Sequence, residues 1–197
     1  MAKSRRMPVR DLALIASFAA LMAVLGLPGA LTLFGNAVPI TLQTLGVMLA
    51  GSILGWKRAF LALVVFLALV AAGLPLLAGG RGGLGVFAGP SAGYLIGWPF
   101  GAAVVGWLVE RRLPAYPVWW GLLANLIGGI GVVYLLGIPV QAAVLGTTSV
   151  AATALAAVIY LPGDLTKAIV ATVVAAGVHK GYPAVSPTRE RPRSHVG

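Results

Sequence analysis

The stretch LPAYPVWWGLLANLIGGIGVVYLLGIPVQAAVLGTTSVAATALAAVIYLPG, residues 113–163, runs for 51 residues without an Asp, Glu, Lys or Arg. A membrane-crossing helix takes about 20 mainly apolar residues, so this stretch is too long for one crossing. Gly128, Gly129, Gly131, Gly137 and Pro139 suggest a break within it, and Pro162 marks another boundary. Outward from it the pattern recurs: residues 12–27, 31–56, 59–80, 82–109 and 168–178 are also uncharged. The reading is six spans, at about 11–27, 38–54, 59–77, 92–109, 118–136 and 161–179. Segment 140–160 keeps three readings: the end of a long fifth helix, a short surface helix, or a re-entrant piece. A seventh full span is disfavoured, because it places its neighbours on awkward sides.

Composition agrees. Of 197 residues, 59% are hydrophobic and 9% charged, and the mean hydropathy is +0.98. A soluble domain needs about a quarter of its residues charged, so that class is excluded. Disorder is excluded by the high hydrophobicity. The absence of cysteine removes disulfides, thiolate metal sites and cysteine nucleophiles. The expectation is an all-α, polytopic membrane protein with a basic arm (1–10), one membrane domain (11–180) and a basic, flexible tail (181–197). The start is basic and apolar but shows no clear cleavage site, so a removed signal peptide is not expected.

The formal charge of +10 would suggest nucleic acid in a soluble chain; here it reads as topology, with no nucleic-acid partner expected. Cytoplasmic loops are enriched in Lys and Arg. With the N-terminus inside, Lys3, Arg5, Arg6, Arg10, Lys57, Arg58, Arg111, Arg112, Lys180, Arg189, Arg191 and Arg193 all fall on the cytoplasmic side, 12 of the 14 basic residues. Both termini are expected to be cytoplasmic. Asp11, Glu110 and Glu190 sit within these clusters. Arg81, Asp164 and Lys167 remain, all near the opposite face. Ionisable groups at membrane depth are costly and usually functional.

These three charges define the candidate site. In YLPGDLTKA, residues 160–168, Pro162 suits a first helical turn, and Asp164 is favoured near a helix N-terminus. Asp164 and Lys167, three apart, share a face. They read either as a self-neutralising pair that eases insertion or as an acceptor and a donor for a ligand. GGRGGLGVFAGPSAGYLIGWP, residues 79–99, carries eight glycines. It lacks the strand context and acidic partner of a dinucleotide fingerprint, and the GK[ST] of a P-loop. A flexible loop and a lid over a cavity both fit, with Arg81 able to clamp an anion and Ser91 placed to cap the fourth span. In LFGNAVPITLQTLG, residues 33–46, Asn36, Thr41, Gln43 and Thr44 both donate and accept, which suits an amide or ureido group; helix packing explains the threonines equally well. Ala16 and Ala20 of the first span have the spacing of a close helix contact, internal or with a partner. Of Trp56, Trp98, Trp107, Trp119 and Trp120, four lie near inner ends; they read as interface anchors, with a place in a site open to any one of them. Catalysis finds little support: both histidines, His179 and His195, lie at the cytoplasmic end, and neither HExxH nor paired carboxylates occur.

At these residues the chain resembles the BioY family, the biotin-binding S components of energy-coupling factor (ECF) transporters. The matching blocks are LFGNAVPITLQTLGVMLAG (33–51), AGLPLLAGGRGGLGVFAGPSAGYLIGWP (72–99) and YLPGDLTKA (160–168), with DLALIASFAALMAVLG (11–26) fitting the first helix. The resemblance spans nearly all of residues 10–180. One departure is GPSAGY, where the family more often has GPTGGY. The resemblance implies a compact six-helix fold in the cytoplasmic membrane with a biotin pocket near the outer face. It implies substrate contacts from Asp164, Lys167, Arg81 and the loop segment Gly89, Pro90, Ser91 and Tyr94. It also implies docking of a transmembrane coupling subunit through Ala16 and Ala20, with two cytoplasmic ATPases as further partners. No cofactor or metal is expected. Asn36 and Gln43 complete the expected polar set, with Asp164 and Asn36 facing ureido N–H groups and Lys167 or Arg81 facing the carboxylate. The alternatives are an S component for another vitamin, an intramembrane enzyme, or a small channel.

Overall fold

The structure is a computed structural model that describes residues 7–30, 38–147 and 149–182. Six helices form, and no strand occurs among the described residues: α1 (Val9–Val24), α2 (Gln43–Leu54), α3 (Trp56–Ala71), α4 (Ala92–Glu110), α5 (Val118–Val144) and α6 (Val150–Gly181). The last three are long and apolar enough to cross a membrane, whereas α1, α2 and α3 have 16, 12 and 16 residues. At about 1.5 Å per residue, α2 covers little more than half of a bilayer core. Its start is cut back to Gln43, and the chain before it, from Val38, forms pocket wall instead.

Helix α4 is the centre of the bundle. It packs on α2, α3 and α5, while α1 lies on α2 and α3, and α6 on α2 and α5. Its glycines let backbones meet: a Cβ on Gly101 would stand 2.6 Å from the Gly128 carbonyl oxygen of α5, and one on Gly128 would stand 2.6 Å from that of Gly101. Between α2 and α3 the chain reverses at a single residue, Gly55, whose φ of +79° excludes most side chains.

Three polar ties gather six helix ends at one end of the bundle. Arg58 at the start of α3 pairs with Asp11 of α1 at 3.0 Å. The Trp56 N–H donates to Glu110 at the end of α4 at 2.9 Å. His179 of α6 stacks on Tyr116, just before α5, and its Nε2 lies 2.8 Å from the Ser52 carbonyl of α2. Helices therefore alternate in direction, and Arg10, Lys57, Arg58, Arg111, Arg112 and Lys180 share that end. Arg111 lies over the Trp107 ring at 3.5 Å and Arg112 over Trp120 at 4.8 Å.

Two expectations are corrected. The glycines and Pro139 do not break the long uncharged stretch: α5 continues through them to Val144, with a π-helical segment at Asn125–Val132. Segment 140–160 divides between the end of α5 and the start of α6, so it forms neither a separate surface helix nor a re-entrant piece. Helix α6 begins at Val150, passes one 3₁₀ turn at Val158–Tyr160, and resumes as α-helix with Pro162 in the new first turn.

Candidate functional site

At the end opposite the basic cluster, a cleft opens among the 38–44 segment, the loop before α4, and the walls of α4, α5 and α6. Its free space, including the part open to solvent, is about 580 Å³. Four aromatic rings line it: Tyr94, Trp98, Tyr134 and Tyr160. Tyr94 and Tyr134 meet edge to face at 5.9 Å. Such walls suit a flat apolar ring system.

Asp164 and Lys167 are both buried in the lining. The Lys167 ammonium donates to Asp164 Oδ1 at 3.0 Å and to Thr44 Oγ1 at 2.9 Å. The Thr44 hydroxyl donates to Asp164 Oδ1 at 3.1 Å, and the Tyr134 hydroxyl to Oδ2 at 2.7 Å. The pair thus cancels its own charge, as a buried pair must to be tolerated. Among the described residues, Lys167 keeps one N–H unspent, and Asp164 keeps acceptor capacity on Oδ2.

Arg81 is different. Gly79 and Gly80, with φ of +78° and +71°, turn the chain so that Leu77 and Arg81 exchange backbone hydrogen bonds of 3.0 and 3.2 Å. The Gly80 N–H also donates to the Leu77 carbonyl at 3.0 Å, closing a three-residue loop whose two positive φ values suit glycine. This turn holds Arg81 against the cleft, where Nε donates to the Ala78 carbonyl at 3.3 Å and one terminal nitrogen donates to Ser91 Oγ at 3.4 Å. No carboxylate pairs with it among the described residues. Burial lowers its pKa from the usual arginine value, yet a guanidinium stays cationic at neutral pH. Among the described residues, the cleft therefore has one neutralised ion pair deep in its wall and one uncompensated cation.

Other expected residues fall in varied places. Gln43 lines the cleft, but its amide is committed to backbone: it donates to the Met22 and Leu76 carbonyls at 3.1 Å each and accepts from the Ala78 N–H at 3.1 Å. It pins α1 and the Arg81 loop onto α2. Ser91 occupies the cap position of α4 without a capping hydrogen bond and instead accepts from Arg81. The Tyr94 hydroxyl donates to Gln141 at 2.8 Å. Gly89 and Pro90 are not in the lining, and Asn36 lies outside the described residues. Ala16 and Ala20 are exposed on α1 beside Ala13 and Ser17. Sequence reasoning missed Tyr134 and Tyr160, whereas Trp98, one of the tryptophans open to a place in the site, does line the cleft. The Trp98 indole N–H is a buried donor with no partner among the described residues.

Comparison with known proteins decides the family. The BioY family profile matches residues 1–184. The chain belongs to the BioY family. It is 47% identical to the biotin transporter BioY of Rhizobium etli over 90% of this chain and 97% of that one. It is 52% identical to a probable biotin transporter BioY of Bacillus subtilis over 84% and 88%. The crystal structure of an S-component for biotin from an ECF-type ABC transporter superposes with a TM-score of 0.85 at 29% identity, covering 94% of this chain and all of that one. The six-helix architecture matches the ECF S-component fold.

Proposed function

We propose that this chain binds biotin at the outer face of the cytoplasmic membrane and serves biotin uptake as the substrate-specific component of an ECF-type transporter. It is a transporter component and not an enzyme. The observation that carries the reading is the charge partition of the cleft. Biotin is an apolar bicycle with a neutral ureido group and one anionic tail. The cleft pairs aromatic walls and a neutralised Asp164–Lys167 pair with a single uncompensated cation, Arg81. The bicycle sits among Tyr94, Trp98, Tyr134 and Tyr160. A ureido N–H donates to Asp164, with Asn36 a further partner in the neighbouring segment. The unspent indole N–H of Trp98 serves the ureido oxygen, and the carboxylate pairs with Arg81. What favours Arg81 over Lys167 is that Lys167 already faces a carboxylate.

The chain crosses the membrane six times, α2 together with the segment 38–42 before it, and both termini are cytoplasmic. In support, the helix directions alternate, and the described basic residues other than Arg81 and Lys167 gather at one end, over exposed Trp107 and Trp119. The exposed small residues Ala16 and Ala20 of α1 fit the docking of a transmembrane coupling subunit, which two ATPases would drive. Titrating biotin into the purified chain tests the binding. Loss of affinity in Arg81→Ala and Asp164→Asn is expected; unchanged affinity in both would overturn the site.

A further inference from the structure

The π segment of α5 sets the register of the site. Two polar side chains of α5 reach α6: Asn125 donates to Thr172 Oγ1 at 3.1 Å, and Tyr134 donates to Asp164 Oδ2 at 2.7 Å. On α5 these residues are nine apart, whereas their partners on α6 are eight apart. An α-helix turns about 100° per residue. Eight steps leave an offset of about 80°, and nine leave about 180°. A continuous α-helix would therefore aim Tyr134 away from α6 whenever Asn125 faced it. The segment between them, Asn125–Val132, is π-helical. A π-bulge accommodates extra chain inside an α-helix. One absorbed residue reduces the offset on α5 from about 180° to about 80°, which keeps both side chains on the half of α5 turned toward α6.

We infer that Tyr134 is a positioning residue for Asp164 and that the π segment exists to bring it into register. The consequence for recognition is a count, and it rests on the biotin reading above. A carboxylate has about four acceptor sites. Lys167 and Thr44 occupy both on Oδ1, and Tyr134 occupies one on Oδ2. Among the described residues a single site is left, on Oδ2, so Asp164 accepts one ligand N–H from a fixed direction. Removing the Tyr134 hydroxyl frees the carboxylate to rotate and opens a second site.

The test uses the full-length chain in detergent. Tyr134→Phe should weaken biotin binding about tenfold, and should cost nothing further in an Asp164→Asn background. Equal loss in both backgrounds, or no loss, overturns the positioning role in favour of packing against Tyr94. An infrared readout needs no ligand: the carboxylate stretch that disappears in Asp164→Asn should shift in Tyr134→Phe, and an unmoved band overturns the bond. Deleting exposed Gly131 should convert the π segment to α-helix while keeping register. The deletion variant should bind biotin within about threefold of the parent and keep its tenfold dependence on Tyr134. A deletion variant that does not fold, or that loses this dependence, overturns the register assignment. If the parent chain fails to bind biotin while the infrared band shifts, the biotin reading falls and the Tyr134–Asp164 assignment stands.

Discussion

Replacing Arg81 with alanine probes the charge logic of the cleft most sharply. The guanidinium has five N–H donors, of which Ala78 and Ser91 take two. Three remain, and the two terminal nitrogens can still present a pair of parallel N–H groups to a carboxylate. Hydrogen bonds to charged groups contribute about 1.5–3 kcal/mol each in net terms. Arg81 is only half-buried, so solvent screening brings the expected loss below the two-bond sum of about 3–6 kcal/mol, to about 2 kcal/mol or roughly 30-fold. Biotin methyl ester supplies the control, because it keeps the bicycle and lacks the charge. Titration calorimetry should show Arg81→Ala losing roughly 30-fold for biotin while leaving the already weaker ester within about twofold. Equal losses for both ligands would mean that Arg81 only holds its loop in place, and the assignment of the carboxylate would be wrong.

Other expectations follow from the same geometry. Lys167→Ala strands a buried carboxylate and should destabilise the chain by about 3–5 kcal/mol, seen as a lowered detergent melting temperature that Asp164→Asn partly restores. Biotin affinity should be flat from about pH 6 upward and fall below about pH 5, where a carboxylic acid gains its proton and loses its attraction to Arg81; in Arg81→Ala that acid-side fall should shrink. Gly128→Ala forces its methyl onto the Gly101 carbonyl of α4 and should lower stability by about 1–3 kcal/mol, measured by thermal unfolding. Ala16→Trp together with Ala20→Trp should abolish co-purification with a transmembrane coupling subunit and leave biotin affinity unchanged.

Much of this site was legible because charge is scarce in the chain. Asp164, Lys167 and Arg81 stand out where each ionised group needs a reason, and the basic residues of the described loops mark a common end. Neutral groups carry no such signal. Tyr134 and Tyr160 look like any aromatic in an apolar run, and only the fold brings Tyr134 to Asp164. Gln43 was conspicuous as a polar residue, yet its amide is consumed by three backbone partners that lie 21 to 35 residues away. The extent of α5 was obscured because glycines and Pro139, which break helices in water, persist where neighbouring helices and the apolar surroundings enforce backbone hydrogen bonding. The start of α6 at Val150 had no charge to mark it, so its boundary was placed eleven residues late at Pro162's neighbour, Leu161.

The central claim is that the cleft is built for biotin. Native mass spectrometry of the purified chain, with and without added biotin, tests it most directly. The account predicts one biotin per chain, bound at Arg81 and Asp164 and lost on substitution of either. A different small molecule that co-purifies and resists displacement by biotin would contradict it.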